Sequence, residues 1–224
     1  MWCIGTITGE YVANMEDILD LYAEPAQENV ARICFDERPC QLLGEVLAPI
    51  PAKYNATKKE HQEYIRNGVC NILLAYDIDS GKRYLQVRER KAKSDYAEFM
   101  KWLVDTHYPN TDKIKLVQDN YCTHQYGSFY ENLPAEDARQ LRKKIEFHYT
   151  PKHGSWLNMA EIEFSAISRQ CLDRRIGDMQ TLEKEALIWQ EHRNKKATKV
   201  NWSFVTEDAR IKLKNRYAEI RKED

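Results

Sequence analysis

Val30-Ala31-Arg32-Ile33-Cys34-Phe35-Asp36 is the stretch on which the reading of the fold turns. Its apolar, β-branched run reads as a strand that ends in a carboxylate at Asp36. Ile114 to Val117 repeats the pattern, a short strand running into Asp119. Between the two, Cys70 to Ile78 and Lys82 to Val87 are apolar runs separated by the turn residues Asp79-Ser80-Gly81, which predicts a β-hairpin. Ile145 to Tyr149 alternates as a further strand.

Helical spacing fills the rest. Residues 11 to 23 place apolar groups on one face. Ser94-Asp95 is positioned to cap a helix whose Tyr96, Phe99, Met100 and Leu103 share a stripe. Pro134 opens a helix to about Lys143. Asn158 to Cys171 is amphipathic, with Ile162, Phe164 and Ile167 as its expected core positions. Residues 180 to 193 read as a last long helix, followed by a charged tail. Trp102, Trp189 and Trp202 read as packing residues. Pro49 to Asn67, polar with two prolines, reads as a long loop. Early antiparallel strands followed by strand–helix alternation predict an α/β chain, a mixed β-sheet flanked by helices.

The 224 residues suit one generous domain, and 42% apolar content supplies a core. Lys and Arg number 34 against 35 Asp and Glu, a net charge of −1. That argues against a protein that coats nucleic acid by charge alone and leaves room for a local basic groove. Of the six cysteines, Cys3, Cys34, Cys40, Cys70, Cys122 and Cys171, no two form a CxxC pair, so a zinc ribbon is not expected. Reduced thiols in a cytoplasmic protein are. The longest apolar run, near Ile72 to Tyr76, falls far short of the ~20 residues of a membrane span.

Asp36 and Asp119 stand at strand ends, where side chains of different strands converge on one crevice. Glu161 lies in the first turns of the helix from Asn158, which the passage from Ile145 returns to the same edge. Two like charges ~4 Å apart repel by ~4 kcal/mol at an effective dielectric near 20, so three carboxylates in one place call for a retained proton or for cations. Hard divalent ions with oxygen ligands, Mg²⁺ or Mn²⁺, answer that demand. Taken singly, each acid is also an ordinary strand-end or helix-surface residue.

The surrounding blocks are more specific. CFDERPCQLLGE (34–45), LVQDNYCTH (116–124) and HYTPKHGSWLNMAEIEFSAISRQCLDRR (148–175) resemble the catalytic blocks of bacterial insertion-sequence DDE transposases, relatives of the mariner-like superfamily. The resemblance runs from Met1 to about Tyr217. It implies an RNase H-like fold, a catalytic and metal-binding triad of Asp36, Asp119 and Glu161, and two metal ions. Glu163 is the rival third acid; a helix turns ~200° over two residues, so only one of the pair can face the metal. Glu37 is expected on the opposite strand face. The resemblance also implies DNA as partner, both transposon ends and target duplex, in a homo-oligomeric complex.

Asn120, His124, Lys152, His153 and Trp156 are the candidate DNA-binding residues around the triad. His124 has an alternative role in ordering its loop, Trp156 as a hydrophobic anchor, and Asn158 as a helix cap. Lys53, Lys58, Lys59 and Arg66 in the polar stretch are further candidates. The expected layout is a helical linker over 1–28, an RNase H-like DDE catalytic domain over 29–200 and a charged tail over 201–224. Relatives place a DNA-recognising helix-turn-helix before such a linker, so the chain reads as a catalytic half, an alternative start or a truncated copy. The gap of 41 residues between Asp119 and Glu161 exceeds that of the relatives, and the helix from Pro134 is the expected insert, over the site as part of its lid. Relief of repulsion is expected to make Asp119→Asn inactive yet no less stable. A nuclease without strand transfer and a non-catalytic regulatory remnant are the alternative functions.

Overall fold

The computed structural model describes residues 7–55, 57, 59 and 61–220; Cys3, Lys58 and the last four residues of the tail lie outside them. Five strands form one sheet: β1 (Val30–Glu45), β2 (Tyr64–Asp77), β3 (Arg83–Arg88), β4 (Lys113–Gln118) and β5 (Ile145–Tyr149). Their spatial order is β3-β2-β1-β4-β5. The first three pair antiparallel, and β1, β4 and β5 run parallel. This is the expected mixed sheet.

Period-two alternation splits the core. Ile33, Phe35, Leu73, Ala75 and Leu116 face one side and pack against α2 (Lys93–His107), α3 (Tyr126–Asn132) and α4 (Ala135–Lys144). Cys34, Ile72, Leu74, Tyr76 and Val117 face the other side, under α1 (Gly9–Ala23), α5 (Met159–Gln170) and α6 (Met179–Lys195). Each large apolar side chain so buried contributes about 1.5–3 kcal/mol. Two short helices, α7 (Thr206–Lys212) and α8 (Lys214–Ile220), follow α6, the last long one. Glu16 of α1 binds them through Arg210 at 2.9 Å and Tyr217 at 2.7 Å.

Several local expectations change. β1 does not end at Asp36; it continues to Glu45 because β2 pairs with it throughout, Asp36 opposite Leu74 and Glu45 opposite Tyr64. Residues 64–69, of which 64–67 were expected in a loop, are the other half of this arm. They are exposed on both faces, so main-chain bonding holds them without an alternating pattern. Helix α2 starts at Lys93 and not after Ser94: Asp95 Oδ2 accepts the Ala92 N–H at 2.8 Å, tying down the first turn. Ile162 is exposed, because Ala160, Glu163, Phe164 and Ile167 form the buried stripe of α5. Helix α4 lies on the face opposite α5, with Ala138 and Leu141 in the core, and is not a lid over the acids. The five described cysteines are free thiols.

Beneath α5 lies a fully buried ion pair. Arg83 of β3 donates to both Glu163 carboxylate oxygens, at 2.7 and 2.8 Å, and both side chains are wholly inaccessible. Arg193 of α6 adds a third bond at 3.1 Å. Removing one member of a buried pair strands the other charge. Arg83→Met is therefore expected to lower stability by roughly 3–5 kcal/mol. A urea midpoint moved by an equivalent of less than about 1 kcal/mol, with the m-value unchanged, would show that the pair is not a clamp.

Candidate active site

Asp36 sits in β1 just past the end of the parallel pairing. That register runs from Val30 opposite Lys113 to Cys34 opposite Val117. Continued by two residues, it sets Asp36 against Asp119, the first residue after β4. Two carboxylates thus share the carboxyl end of neighbouring parallel strands.

The third acid comes from α5, and the preceding loop sets its position. Gly154 closes a turn on Pro151, its N–H 2.8 Å from the Pro151 carbonyl; a Cβ there would lie 2.5 Å from Pro151 Cγ, so only glycine fits. A single 3-10 turn (Ser155–Leu157) leads to Asn158. The Asn158 Oδ1 accepts the Ala160 N–H at 3.1 Å and caps α5, while its Nδ2 donates to the Phe35 carbonyl at 2.8 Å. One side chain therefore hooks the start of α5 to the residue before Asp36. Glu161 and Asp36 line the same open cleft of about 440 Å³, with Arg38, Ser165, Ser168 and Arg169. Glu163 is turned away into the Arg83 clamp.

Electrostatics tie the three acids together. Burial pushes the Asp36 carboxyl up to about 7; the Glu37 N–H at 2.8 Å opposes this, and the charges of Glu161 and Asp119 add to it. Asp119 is displaced the other way. Burial would raise it, but hydrogen bonding to His124, the His124 charge, the Tyr121 N–H and Lys91 bring it below the usual carboxylate range.

His124 explains the difference. Its Nδ1 lies 2.5 Å from Asp119 Oδ1 and its Nε2 3.0 Å from Glu37 Oε1. Burial disfavours its charge, yet the two carboxylates outweigh burial and hold it up at about 9, so it is cationic at neutral pH. The loop is fixed further: the His124 carbonyl accepts from Gln118 Nε2 at 3.1 Å and Tyr149 Oη at 2.9 Å, and Tyr96 Oη donates to Gln118 at 2.8 Å.

Not every candidate DNA contact is free to touch a ligand. His124 is 1% exposed with both ring nitrogens engaged, so it orders Asp119 instead of reaching out. Trp156 stacks on Trp202 and meets Phe204 edge-on, the anchor role. Asn120, which follows Asp119, and Lys152 and His153, in the loop between β5 and α5, are exposed. Residues 36 and 38 share a strand face, so Arg38 beside Asp36 was foreseeable; it bonds the Phe164 carbonyl at 3.1 Å and Ser168 and enters the cleft wall. Glu37 does occupy the opposite face, but its bond to His124 carried no sequence signal beyond that alternation.

Carboxylates grouped at the carboxyl ends of adjacent parallel strands and on a returning helix, in a sheet of this order, define an RNase H-like α/β protein. The chain belongs to the DDE superfamily endonucleases, whose family pattern matches residues 31–183. No curated protein matches it in sequence. Among solved structures it is similar to the Mos1 mariner paired-end complex with Mn, with a TM-score of 0.57 at 10% identity over all of this chain and 66% of that one. The Mos1 strand transfer complex gives a TM-score of 0.56 at 11% identity, covering 100% of this chain and 67% of that one. At such identity the likeness is one of fold. The chain spans about two thirds of the length of those proteins. No described helix is long and apolar enough to cross a membrane.

Proposed function

We propose that this chain is the catalytic domain of an insertion-sequence transposase of the mariner-like superfamily, cleaving DNA strands and joining them to a target duplex. The single observation carrying the proposal is the placement of the acids: the β1–β4 register sets Asp36 against Asp119, and Asp36 and Glu161, from β1 and α5, line one cleft. Membership in the DDE superfamily endonucleases supports it. So do the Mos1 structures, named for a paired end and a strand transfer complex.

The donor set fits a hard divalent cation. All three groups are carboxylates, and a buried one is held protonatable near neutrality, the condition a cation relieves. Among the described residues no three such side chains already close a shell around an ion, so binding one would require Glu161 or Asp119 to turn inward. Asp36, Asp119 and Glu161 hold Mg²⁺ or Mn²⁺ in this reading, and two of the Mos1 structures are named with Mn and Mg. Two such ions, when bound, stabilise the attacking and leaving oxygens of an in-line phosphoryl displacement. The protein's own part is to orient: Asn158 fixes the approach of Glu161, His124 holds Asp119, and Asn120, Lys152 and His153 receive DNA.

Residues 29–200 form the proposed catalytic domain, with 1–28 and 201–224 as flanking segments. A second copy of the chain is the proposed occupant of the β1–β2 arm and the segment joining its strands, where Ile65 and Val69 of β2 and Val46, Leu47, Ile50 and Tyr54 of the connection are exposed. Cytoplasmic placement accords with the free thiols.

The test is Mg²⁺-dependent nicking of a duplex by the purified chain, followed by assay of the new 3′-ends for joining to a second duplex. Nicking and joining, both absent in Asp36→Ala, are the expected outcome. Nicking without joining reduces the chain to a nuclease, and no nicking at all makes it a non-catalytic partner.

A further inference from the structure

The connection from β3 to α2 reads Arg88-Glu89-Arg90-Lys91-Ala92-Lys93, four cations against one acid in a chain of net charge −1. Two of the cations are neutralised. Arg88 pairs with Glu98 at 3.0 Å, and Lys93 with Glu131 at 2.8 Å. Arg90 and Lys91 are exposed, and neither has an ion-pair partner among the described residues.

Lys91 is nevertheless held in place. Its ammonium lies 5.0 Å from the centre of the Tyr121 ring. Tyr121 is 45% exposed and follows Asp119 by two residues, with its N–H 3.3 Å from Asp119 Oδ1. A cation over an aromatic ring at an exposed site gains only about 0.5–1 kcal/mol, enough to bias a lysine rotamer and too little to satisfy its charge. The loop comes from the α2 face of the sheet, whereas Glu161 comes from the α5 face. Lys91, over the ring of Tyr121 and near enough for its charge to lower Asp119, therefore borders the acids, and Arg90 is its exposed neighbour in the chain.

We propose that the Arg90–Lys91 loop, braced by Tyr121, is a phosphate-backbone contact for the DNA strand that enters the acid cluster. The proposal rests on the DNA reading above and adds a second wall to the cleft, one that the triad does not define. Its chemistry is sequence-independent. A guanidinium and an ammonium bind phosphodiester oxygens and read no bases, so they fix the register of the strand against Asp119. Each neutralised phosphate releases condensed counterions, which makes the contact measurable as a salt dependence.

The experiment uses the full chain with Ca²⁺ in place of Mg²⁺, a fluorescein-labelled duplex and anisotropy titrations between about 50 and 200 mM NaCl. Losing two phosphate contacts in Arg90→Ala/Lys91→Ala is expected to flatten the slope of log K against log salt by about 1.8. Affinity at the low-salt end is expected to fall roughly tenfold, with the melting temperature unchanged. Tyr121→Phe keeps the ring and the wild-type slope, whereas Tyr121→Ala moves toward the double variant. Arg139→Ala/Lys143→Ala, which removes two exposed cations from α4, leaves the slope as it is. A wild-type chain that binds DNA with a slope the Arg90/Lys91 variant reproduces would overturn this assignment alone. A wild-type chain with no salt-dependent binding would overturn it together with the DNA reading.

Discussion

Asp36→Asn is expected to reduce strand cleavage by more than about 10³-fold while raising the melting temperature of the metal-free protein. The first effect follows from the proposed metal site: the metal clamp supplies several kcal/mol of transition-state stabilisation, and each 1.36 kcal/mol is tenfold in rate. The second follows from burial. The folded-state value of Asp36, about 7, lies above the ordinary 3.8. Between those values the folded protein holds a proton that the unfolded chain has released, so its stability falls as pH rises from about 4 to 7. Above pH 7 the ionised carboxylate costs on the order of 4 kcal/mol. Asparagine keeps the shape and the acceptor for the Glu37 N–H without the charge. At pH 8 the gain should be roughly 3–8 °C, allowing for imperfect replacement, and at pH 5, where Asp36 is already protonated, close to nothing. Mg²⁺ should raise the wild-type melting temperature more at pH 8 than at pH 5 and lose that difference in the variant. An equal gain at both pH values would remove Asp36 as the seat of the repulsion.

The relief expected of Asp119→Asn on sequence grounds belongs to Asp36 instead. Asp119 is paired with a cationic histidine, so neutralising it removes an attraction.

His124→Ala carries the second large expectation. It strands Glu37, whose side chain is 4% exposed, without a counter-charge. Breaking a buried pair in this way costs roughly 3–5 kcal/mol. Released from His124, Asp119 is no longer oriented, and a lost partner behind a ligand weakens metal affinity about 10–100-fold. Mg²⁺ dependence of the melting temperature reads this without any turnover. The pH profile supplies the control. A histidine at about 9 when folded and 6.5 when unfolded contributes stability that is complete below pH 6.5 and lost as pH climbs through 9, about 3 kcal/mol in all. His124→Ala should flatten that decline between pH 7 and 9. Glu37→Gln/His124→Ala, which removes both members, should recover much of the stability but not the metal affinity. Recovery of both would leave His124 with no part in holding Asp119.

Much of this architecture is legible in short stretches of chain. Ile33 and Phe35 alternate with Cys34, and Leu73 and Ala75 with Ile72 and Leu74, so strand character and the two faces follow from period two. Asp79-Ser80-Gly81 announces the hairpin. Asn158 is recognisable as a cap because a helix start needs an acceptor for its free N–H groups. Asp119 after β4 and Glu161 in the first turn of α5 were likewise recognisable, whereas Asp36 lies inside β1, which the apolar pattern alone ends there.

What the residues could not show locally is where an element meets a distant one. Residues 64–69 of β2 are exposed on both faces, so no hydrophobic pattern marks them, and only pairing with β1 makes them a strand. The phase of α5, which turns Glu161 to the cleft, is set by Arg83, 80 residues before Glu163. His124 became a buried cation only because Glu37, 87 positions earlier, arrives at its other nitrogen. Sequence alone determined most of the elements and proposed the three acids, because those depend on the period and chemistry of adjacent side chains. The tertiary structure alone decided which acid is charged, which glutamate faces the cleft and which cations stand uncompensated, because a charge is governed by the groups that fold against it.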